Sequence, residues 1–457
     1  MAIRIEHTID NAAQAPEGAK KLFIKSYGCQ MNVYDAVRMG ELMKPHGYTM
    51  TETLTEADLV VLNTCHIREK ADNKMFSDIG RMRDATGGKA LIAVGGCIGQ
   101  AMGEDIMKRA PEVRVVFGPQ TLHRLPEFIN KAGLSGKGRA VDTEFPELEK
   151  FDALPLPGAY GPTSFVTIQE GCDKFCTYCV VPYTRGHEIS RPAEHVLNEV
   201  RHLAGLGVKE VCLLGQNVNA YEDGEIDFVD LINKTADIEG IERIRFTTSH
   251  PNNMTDRLIN LFAEQEKLMP YLHLPVQAGS NKVLKDMNRN HTAEDYLAVI
   301  EKLRAVRPDI AISGDFIVGF PGETEDDFEK TLMIAAATNY ASAYSFKYSP
   351  RPGTPAAAMT NQVSDNVSSE RLAGLQALLN DQQEAFNATF VGKETTVLVE
   401  EKTHIEGQLR GRSPHNIAVN FDGNERLIGH TIRVKITASK PKSIIGEIVL
   451  NDMQQSA

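Results

Sequence analysis

Six of the seven cysteines fall into two groups whose placement could do metal chemistry. The first is Gly171-Cys172-Asp-Lys-Phe-Cys176-Thr-Tyr178-Cys179. Three thiolates at this Cys-x3-Cys-x2-Cys spacing can hold three irons of a 4Fe-4S cluster and leave the fourth iron open to a substrate. A structural zinc site asks for four ligands, and His187 is the candidate for a fourth on that alternative. The second group is Cys29, Cys65 and Cys97, each lying just beyond a short β-rich apolar run, at 21–25, 58–62 and 90–94. Residues that follow successive parallel strands share one sheet edge, where α/β proteins place ligand sites, so the three could meet. Helical patterns follow each of them, and a helix N-terminus favours the thiolate that a metal requires. The alternative for any one of them is a buried core thiol. Cys212, inside the apolar strand pattern 210–214, reads as core packing, and His273 as a satisfied structural histidine.

The elements that must position these groups come in three sets. Alternating β-rich and helical patterns, with a fourth strand at 113–117, predict a parallel α/β sheet domain over residues 20–137. A proline-rich stretch at 144–163 lacks apolar periodicity and predicts a linker, placed at 138–157. Six strand patterns follow, beginning near Ser164, Val211, Arg243, Tyr271, Ile310 and Ala343, mostly separated by amphipathic runs. They predict a full or partial (β/α) barrel over 158–390, with its chemistry at the C-terminal strand ends. Beyond a helical run at 369–388, short alternating strands at 395–399, 417–421, 431–436 and 443–448 predict a small β-barrel over 391–454. The fold class is therefore α/β with a C-terminal β-barrel.

At 457 residues and 42% hydrophobic composition, the chain can build several cores. No apolar run is long enough to span a membrane, and residues 1–20 do not read as a secretory signal, so a cytoplasmic protein is expected. Seven cysteines are too sparse for a disulfide scaffold. The 49 basic and 61 acidic residues leave a net charge of −12, which excludes a global attraction to polyanions. Residues 391–457 carry nine basic and eight acidic side chains, +1, against −13 for the remainder. Any polyanion site should be local.

The triad, with aromatic Tyr178 before its last cysteine, resembles the signature of the radical S-adenosylmethionine superfamily. The resemblance implies that Cys172, Cys176 and Cys179 bind the catalytic 4Fe-4S cluster. It also implies that S-adenosylmethionine chelates the open iron and is cleaved reductively to a 5′-deoxyadenosyl radical. The run Ser313-Gly-Asp315-Phe-Ile-Val-Gly319-Phe-Pro-Gly322-Glu323 is similar to the adenosine-contacting segment of these enzymes. Read from its residues alone, it is a βα turn followed by a helix cap at Thr324. Leu214-Gly-Gln216-Asn217 stands where the superfamily often has Gly-Gly-Glu. Tyr178, Gln216, Asn217, Asp315, Gly319, Gly322 and Glu323 are thus the implied cofactor contacts.

A three-cysteine α/β domain, a radical unit and a β-barrel, in that order, resemble the methylthiotransferase family over residues 20–449. In that family Cys29, Cys65 and Cys97 would hold a second 4Fe-4S cluster that handles sulfur, and a further S-adenosylmethionine would supply a methyl group. The barrel resembles the TRAM domain, an RNA-binding module, with Arg410, Arg412, Arg433, Lys435, Lys440 and Lys442 as candidate phosphate contacts and His415 and Asn416 at a loop. For any single one of these the alternative is a solvated face. The segments around Cys65, Cys179, Gln216 and His273 look like the branch that methylthiolates carbon 2 of N(6)-dimethylallyladenosine beside the tRNA anticodon. His66 departs from that branch, where Ser is more usual. Arg68, Glu69 and Arg185 read as ion pairs or substrate contacts. Within the family the alternatives are threonylcarbamoyl-adenosine in tRNA and an aspartate of a ribosomal protein. Outside it stands a non-catalytic iron-sulfur RNA-binding protein. The implied partners are tRNA and a flavodoxin- or ferredoxin-type electron donor, with no membrane, and a monomer is expected.

Overall fold

The central apolar runs of the first third form strands buried on both faces, the mark of a parallel sheet covered by helices. In the computed structural model, which describes residues 18–65, 71–133, 138–146 and 149–449, β1 (Lys20–Ser26), β2 (Tyr48–Met50), β3 (Leu59–Thr64), β4 (Leu91–Gly96), β5 (Val113–Phe117) and β6 (Ala140–Asp142) make one sheet in the order β2-β1-β3-β4-β5-β6. Every pairing in it is parallel. β3 and β4 are buried at every residue. Two strands, β2 and β6, were not expected, because three residues are too few to show periodicity. β6 lies inside the expected linker, which also contains the short helix Glu149–Ala153. Its described residues therefore include regular structure, and Lys150 among them is 1% exposed.

The second unit carries β7 (Thr163–Thr167), β8 (Glu210–Leu214), β9 (Arg243–Thr247), β10 (Tyr271–His273), β11 (Ala311–Val318) and β12 (Ser342–Lys347). They form two parallel three-stranded sheets, β9-β8-β7 and β10-β11-β12. The sheets meet where Met269 N–H donates to the Ile244 carbonyl, so the six strands run in chain order as an open, partial barrel. Helices cover its outer face. Ala193–Gly205, for example, buries Val196, Leu197, Val200 and Leu203, a helical stripe, in the same core as Val211, Leu213, Ile244 and Phe246. The expected cap at Thr324 is present as a capping box with Asp327.

The last unit is a closed barrel of β13 (Glu394–Lys402), β14 (Gln408–Arg412), β15 (Ala418–Asp422), β16 (Thr431–Lys440) and β17 (Ser443–Ile448), in the order β13-β14-β15-β17-β16. Sequence periodicity missed β14, whose Gly411 and arginines break the apolar alternation. The barrel is docked on the partial barrel by buried arginines of β9. Arg243 donates to the Arg412 carbonyl at 2.8 Å, and Arg245 to the Ser413 and Pro414 carbonyls at 2.7 and 2.8 Å. Both side chains project from the same face of β9, the inner one, because residues two apart on a strand share a face.

Candidate active site: two cysteine groups on facing strand ends

Cys29 ends the turn after β1 and caps the helix α1 (Gln30–Met43), with Asn32 and Val33 N–H groups donating to its carbonyl. Cys65 directly follows β3, and Cys97 opens the helix Cys97–Met102 after β4. All three therefore lie at the C-terminal edge of the sheet. Asn32, fully buried, ties this edge together: its Nδ2 donates to the Tyr27 and Thr64 carbonyls at 2.6 and 3.0 Å. A hydrogen bond from Cys65 pulls the Cys29 thiol down to about 6, with the Arg185 guanidinium assisting and burial opposing. Burial pushes Cys97 up, against the pull of Arg185.

Gly28 shows how tightly this edge is built. Its φ is +97°, and a Cβ there would overlap Cys65, standing 2.6 Å from the sulfur. If the two cysteine groups bind clusters as the resemblance implies, Gly28→Ala should displace Cys65 and lower the iron bound per chain by about half while reductive cleavage of S-adenosylmethionine continues. Iron and sulfide assay beside a cleavage assay checks this, and full iron content in the variant would refute it.

The other group follows β7 and the bridge residues Gln169–Glu170. Gln169 accepts from the Gln216 and Asn217 N–H groups at 2.9 and 3.2 Å, and Gln216 Oε1 accepts from Gly171 N–H at 2.7 Å. Asn217 Nδ2 donates to Glu188 at 3.0 Å. Gln216 and Asn217 therefore brace the cysteine loop, and the buried Asn217 Oδ1 is left without a hydrogen-bond partner, a free acceptor beside that loop. Burial pushes Cys172 up to about 11 and Cys179 up to about 12. Such thiols release protons on binding metal, so loading should be favoured by alkaline pH. Tyr178 is half-buried and packs with Met287 and Phe320.

The donor sets suit iron-sulfur clusters. All six cysteines are free thiols. Among the described residues no three His, Cys, Asp or Glu side chains are gathered as a site for one ion; a cubane takes one thiolate per iron and spreads its ligands. His187, the candidate fourth zinc ligand, is mostly exposed and meets Asp173 at 2.9 Å.

The two groups are joined by a buried charge network, of which the sequence singles out Arg185 alone, as an ion pair or substrate contact. Arg185, six residues after Cys179 and 3% exposed, donates to Glu170 Oε1 at 3.1 Å, Asp35 Oδ2 at 3.0 Å and Asn32 Oδ1 at 3.3 Å. Lys150 reaches the same two acids, Glu170 at 2.6 Å and Asp35 at 3.3 Å. Asp35 lies on α1 after Cys29, and Glu170 two residues before Cys172. Burial alone would lower the Arg185 pKa, but Asp35, Cys97 and Glu170 hold it well above the ordinary value. Arg185 is thus an ion-pair centre. His66, Arg68 and Glu69 lie outside the described residues. Cys212 is core packing, as expected: it sits with Met31, Tyr34 and Leu214 where α1 covers the inner face of the partial barrel.

The expected adenosine segment has other contacts. A Cβ at Gly319 would meet the Ser368 hydroxyl, and one at Gly322 the Asn361 side chain. Glu323 accepts from Gly319 N–H at 3.0 Å and pairs with Arg371 at 2.9 Å. Gly319 and Glu323 hold the βα turn against the helix Asp365–Ala388, and Gly322 packs on Asn361 just before it. Asp315 instead stands on the inner face of β11, 3.4 Å from His273 Nε2. His273 Nδ1 meets Ser313 Oγ at 3.1 Å, and exposed Tyr344 and Phe346 extend this wall along β12. The aromatic pair carried no signal in the sequence, since alternate aromatics on a strand are ordinarily core.

On the small barrel, Arg410 pairs with Glu401 at 3.4 Å, Arg412 with Glu400 at 3.2 Å, and Arg433 with Glu394. Lys435, Lys440 and Lys442 are exposed, and among the described residues none has a carboxylate partner. His415 is engaged by Asp309 at 3.0 Å, at the junction with the partial barrel.

Three family models match the chain: Uncharacterized protein family UPF0004 over residues 21–118, Radical SAM superfamily over 166–335 and TRAM domain over 388–449. The chain is 55% identical over 444 residues to the tRNA-2-methylthio-N(6)-dimethylallyladenosine synthase of Maricaulis maris (strain MCS10), covering 94% of this chain and 97% of that protein. It is 56% identical to the protein of that name from Sphingopyxis alaskensis (94% and 98% covered) and 50% identical to that from Agrobacterium fabrum (95% and 99%). Among solved structures it resembles the radical S-adenosylmethionine methyltransferase TsrM of Kitasatospora setae, with TM-score 0.52 at 14% identity over 74% of this chain and 77% of that one. A likeness at that identity concerns the fold alone.

Proposed function

The chain belongs to the tRNA-2-methylthio-N(6)-dimethylallyladenosine synthase family, and from that premise we propose that it methylthiolates carbon 2 of N(6)-dimethylallyladenosine next to the anticodon in tRNA. It is a radical S-adenosylmethionine enzyme, and the reading is carried by one observation: two free cysteine trios on facing strand ends, joined through Arg185. When bound, two 4Fe-4S clusters and S-adenosylmethionine would supply the hydrogen-abstracting radical, the handling of the inserted sulfur and the methyl group. Cys172, Cys176 and Cys179 would hold the catalytic cluster, and Cys29, Cys65 and Cys97 the sulfur-handling one.

The chain's own residues do the positioning. Gln169 and Gln216 fasten the cysteine loop to β7 and β8, and the Asp35-Lys150-Glu170-Arg185 network fixes that loop against α1. This holds the two trios at one separation, which is what an insertion reaction needs to select a single carbon. Asp315, His273 and Ser313 offer polar groups on the inner wall, and Tyr344 offers a face on which a base can stack. Adenosine contacts by Tyr178, Asn217, Gly319, Gly322 and Glu323 rest on the family likeness.

Threonylcarbamoyl-adenosine, a ribosomal aspartate and a non-catalytic RNA-binding role are not favoured, because the relatives that share more than nine-tenths of the chain are named for one nucleoside. Mass spectrometry of tRNA nucleosides from a strain lacking the gene should show loss of the 2-methylthio group and accumulation of isopentenyladenosine. An unchanged nucleoside profile would overturn the assignment.

Residues 20–137, 158–390 and 391–454 divide the labour in this reading, with 138–157 between the first two. The barrel grips tRNA, and Lys435, Lys440 and Lys442 are its leading phosphate contacts because Arg410, Arg412 and Arg433 already answer carboxylates. Replacing the three lysines by alanine is expected to flatten the slope of log affinity against log salt by roughly 2 to 3. An unchanged slope in a tRNA-binding titration would remove them from the interface. Point variants serve better than truncation, which would strip the Arg243 and Arg245 side chains of their carbonyl acceptors. The reading is completed by a flavodoxin- or ferredoxin-type electron donor, a monomeric state and a cytoplasmic location. Among the described residues no helix is long and apolar enough to cross a membrane.

A further inference from the structure

Arg289 follows the helix Asn281–Asp286 and is 5% exposed, yet among the described residues no carboxylate pairs with it. Four other buried arginines meet acids: Arg185 pairs with Asp35 and Glu170, Arg191 with Glu199, Arg245 with Glu210 and Arg371 with Glu323, while Arg38 lies over the Tyr34 ring and Arg243 donates to the Arg412 carbonyl, neither of them at a cysteine sulfur. Arg289 instead donates through Nη2 to the Pro275 carbonyl at 2.6 Å and through Nη1 to the Cys176 sulfur at 3.7 Å, and its Nε has no hydrogen-bond partner. The neighbouring His250 and His291 bring no negative charge. Burial pushes them down to about 2 and about 4, so both are neutral at physiological pH. A guanidinium taken out of water without a counter-ion is strongly disfavoured, so this site asks for an anion at Cys176.

We propose that Arg289 is a positioning residue of the Cys172, Cys176 and Cys179 site, whose guanidinium hydrogen-bonds the Cys176 sulfur and supplies the counter-charge of the anionic cluster held there. This rests on the reading that those three cysteines hold the catalytic cluster. One electron from a flavodoxin- or ferredoxin-type donor makes that cluster more negative, and a fixed cation with an N–H directed at a ligand sulfur stabilises the reduced form. Arg289 thereby makes the cluster easier to reduce.

The test uses the full-length chain carrying Cys29→Ala, Cys65→Ala and Cys97→Ala, so that one cluster reports, in an anaerobic redox titration followed by electron paramagnetic resonance. Arg289→Gln keeps a hydrogen-bond donor and removes the charge. It is expected to make reduction about tenfold less favourable, ~59 mV more negative for a one-electron couple. Arg289→Lys, which keeps the charge, should fall between the two. If Arg289→Gln loses iron while Arg289→Lys keeps it, the counter-charge role also stands. An unchanged potential at full iron content would overturn the proposal. Loss of iron from both variants would overturn it too, because it would mark a packing role through the Pro275 carbonyl. A parent chain that binds no iron at all would instead sink the cysteine assignment beneath it.

Discussion

Cys172→Ala is expected to reduce S-adenosylmethionine cleavage to background, whereas Cys65→Ala leaves cleavage running without product and stops methylthiolation. The asymmetry follows from where the two sulfurs sit. Cys172 lies in the loop that Gln216 and Gln169 fasten to the C-terminal ends of β7 and β8 in the partial barrel. Cys65 lies at the end of β3, packed against Gly28, in the N-terminal sheet. Loss of one thiolate should unload one site and spare the other, since each trio is held by its own strand ends. The measurement pairs 5′-deoxyadenosine formation with iron content and nucleoside analysis. Equal cleavage by both variants, or failure of both with iron intact, would require the two-site assignment to be dropped.

Arg185→Met is expected to destabilise the chain by about 3–5 kcal/mol, the cost of leaving buried carboxylates without their cation. Asp35 and Glu170 are 2% and 1% exposed, and Lys150 alone cannot neutralise both. The substitution keeps the volume and removes the charge. Urea unfolding should show a lower midpoint with an unchanged slope. Because Glu170 accepts from both Arg185 and Lys150, the double variant Glu170→Gln with Arg185→Met should be more stable than the sum of the single changes implies. A shift below about 0.5 kcal/mol, the range of ordinary surface substitutions, would mean that water satisfies the network and that the two cysteine segments are held by apolar packing instead.

The cysteine spacing, the three-unit α/β and β-barrel order and the family likeness could all be read from the chain itself, because each is local information. Three thiols within eight residues need no fold to declare them, and Cys29, Cys65 and Cys97 declare themselves by following apolar strands. The Thr324 cap and the core role of Cys212 were legible for the same reason. The strands β2 and β6 were not, being too short to carry a period, and the proline-rich stretch concealed the buried Lys150.

What only the tertiary structure decided is how distant polar residues are used. Asp35 and Arg185 are 150 residues apart, and Asp35 and Lys150 are 115 apart. In sequence Asp35 and Lys150 resemble surface charges, and Arg185 reads as an ion pair or substrate contact with no partner named, because an ion pair between separate elements has no periodicity. Arg289 gained its meaning only when its turn placed it on Cys176. Arg410, Arg412 and Arg433 lost theirs as free cations once β14 and β16 set them beside carboxylates. Apolar pattern and ligand spacing are properties of neighbouring residues, whereas electrostatic partnership depends on which segments the fold brings within a few ångströms and shuts away from water.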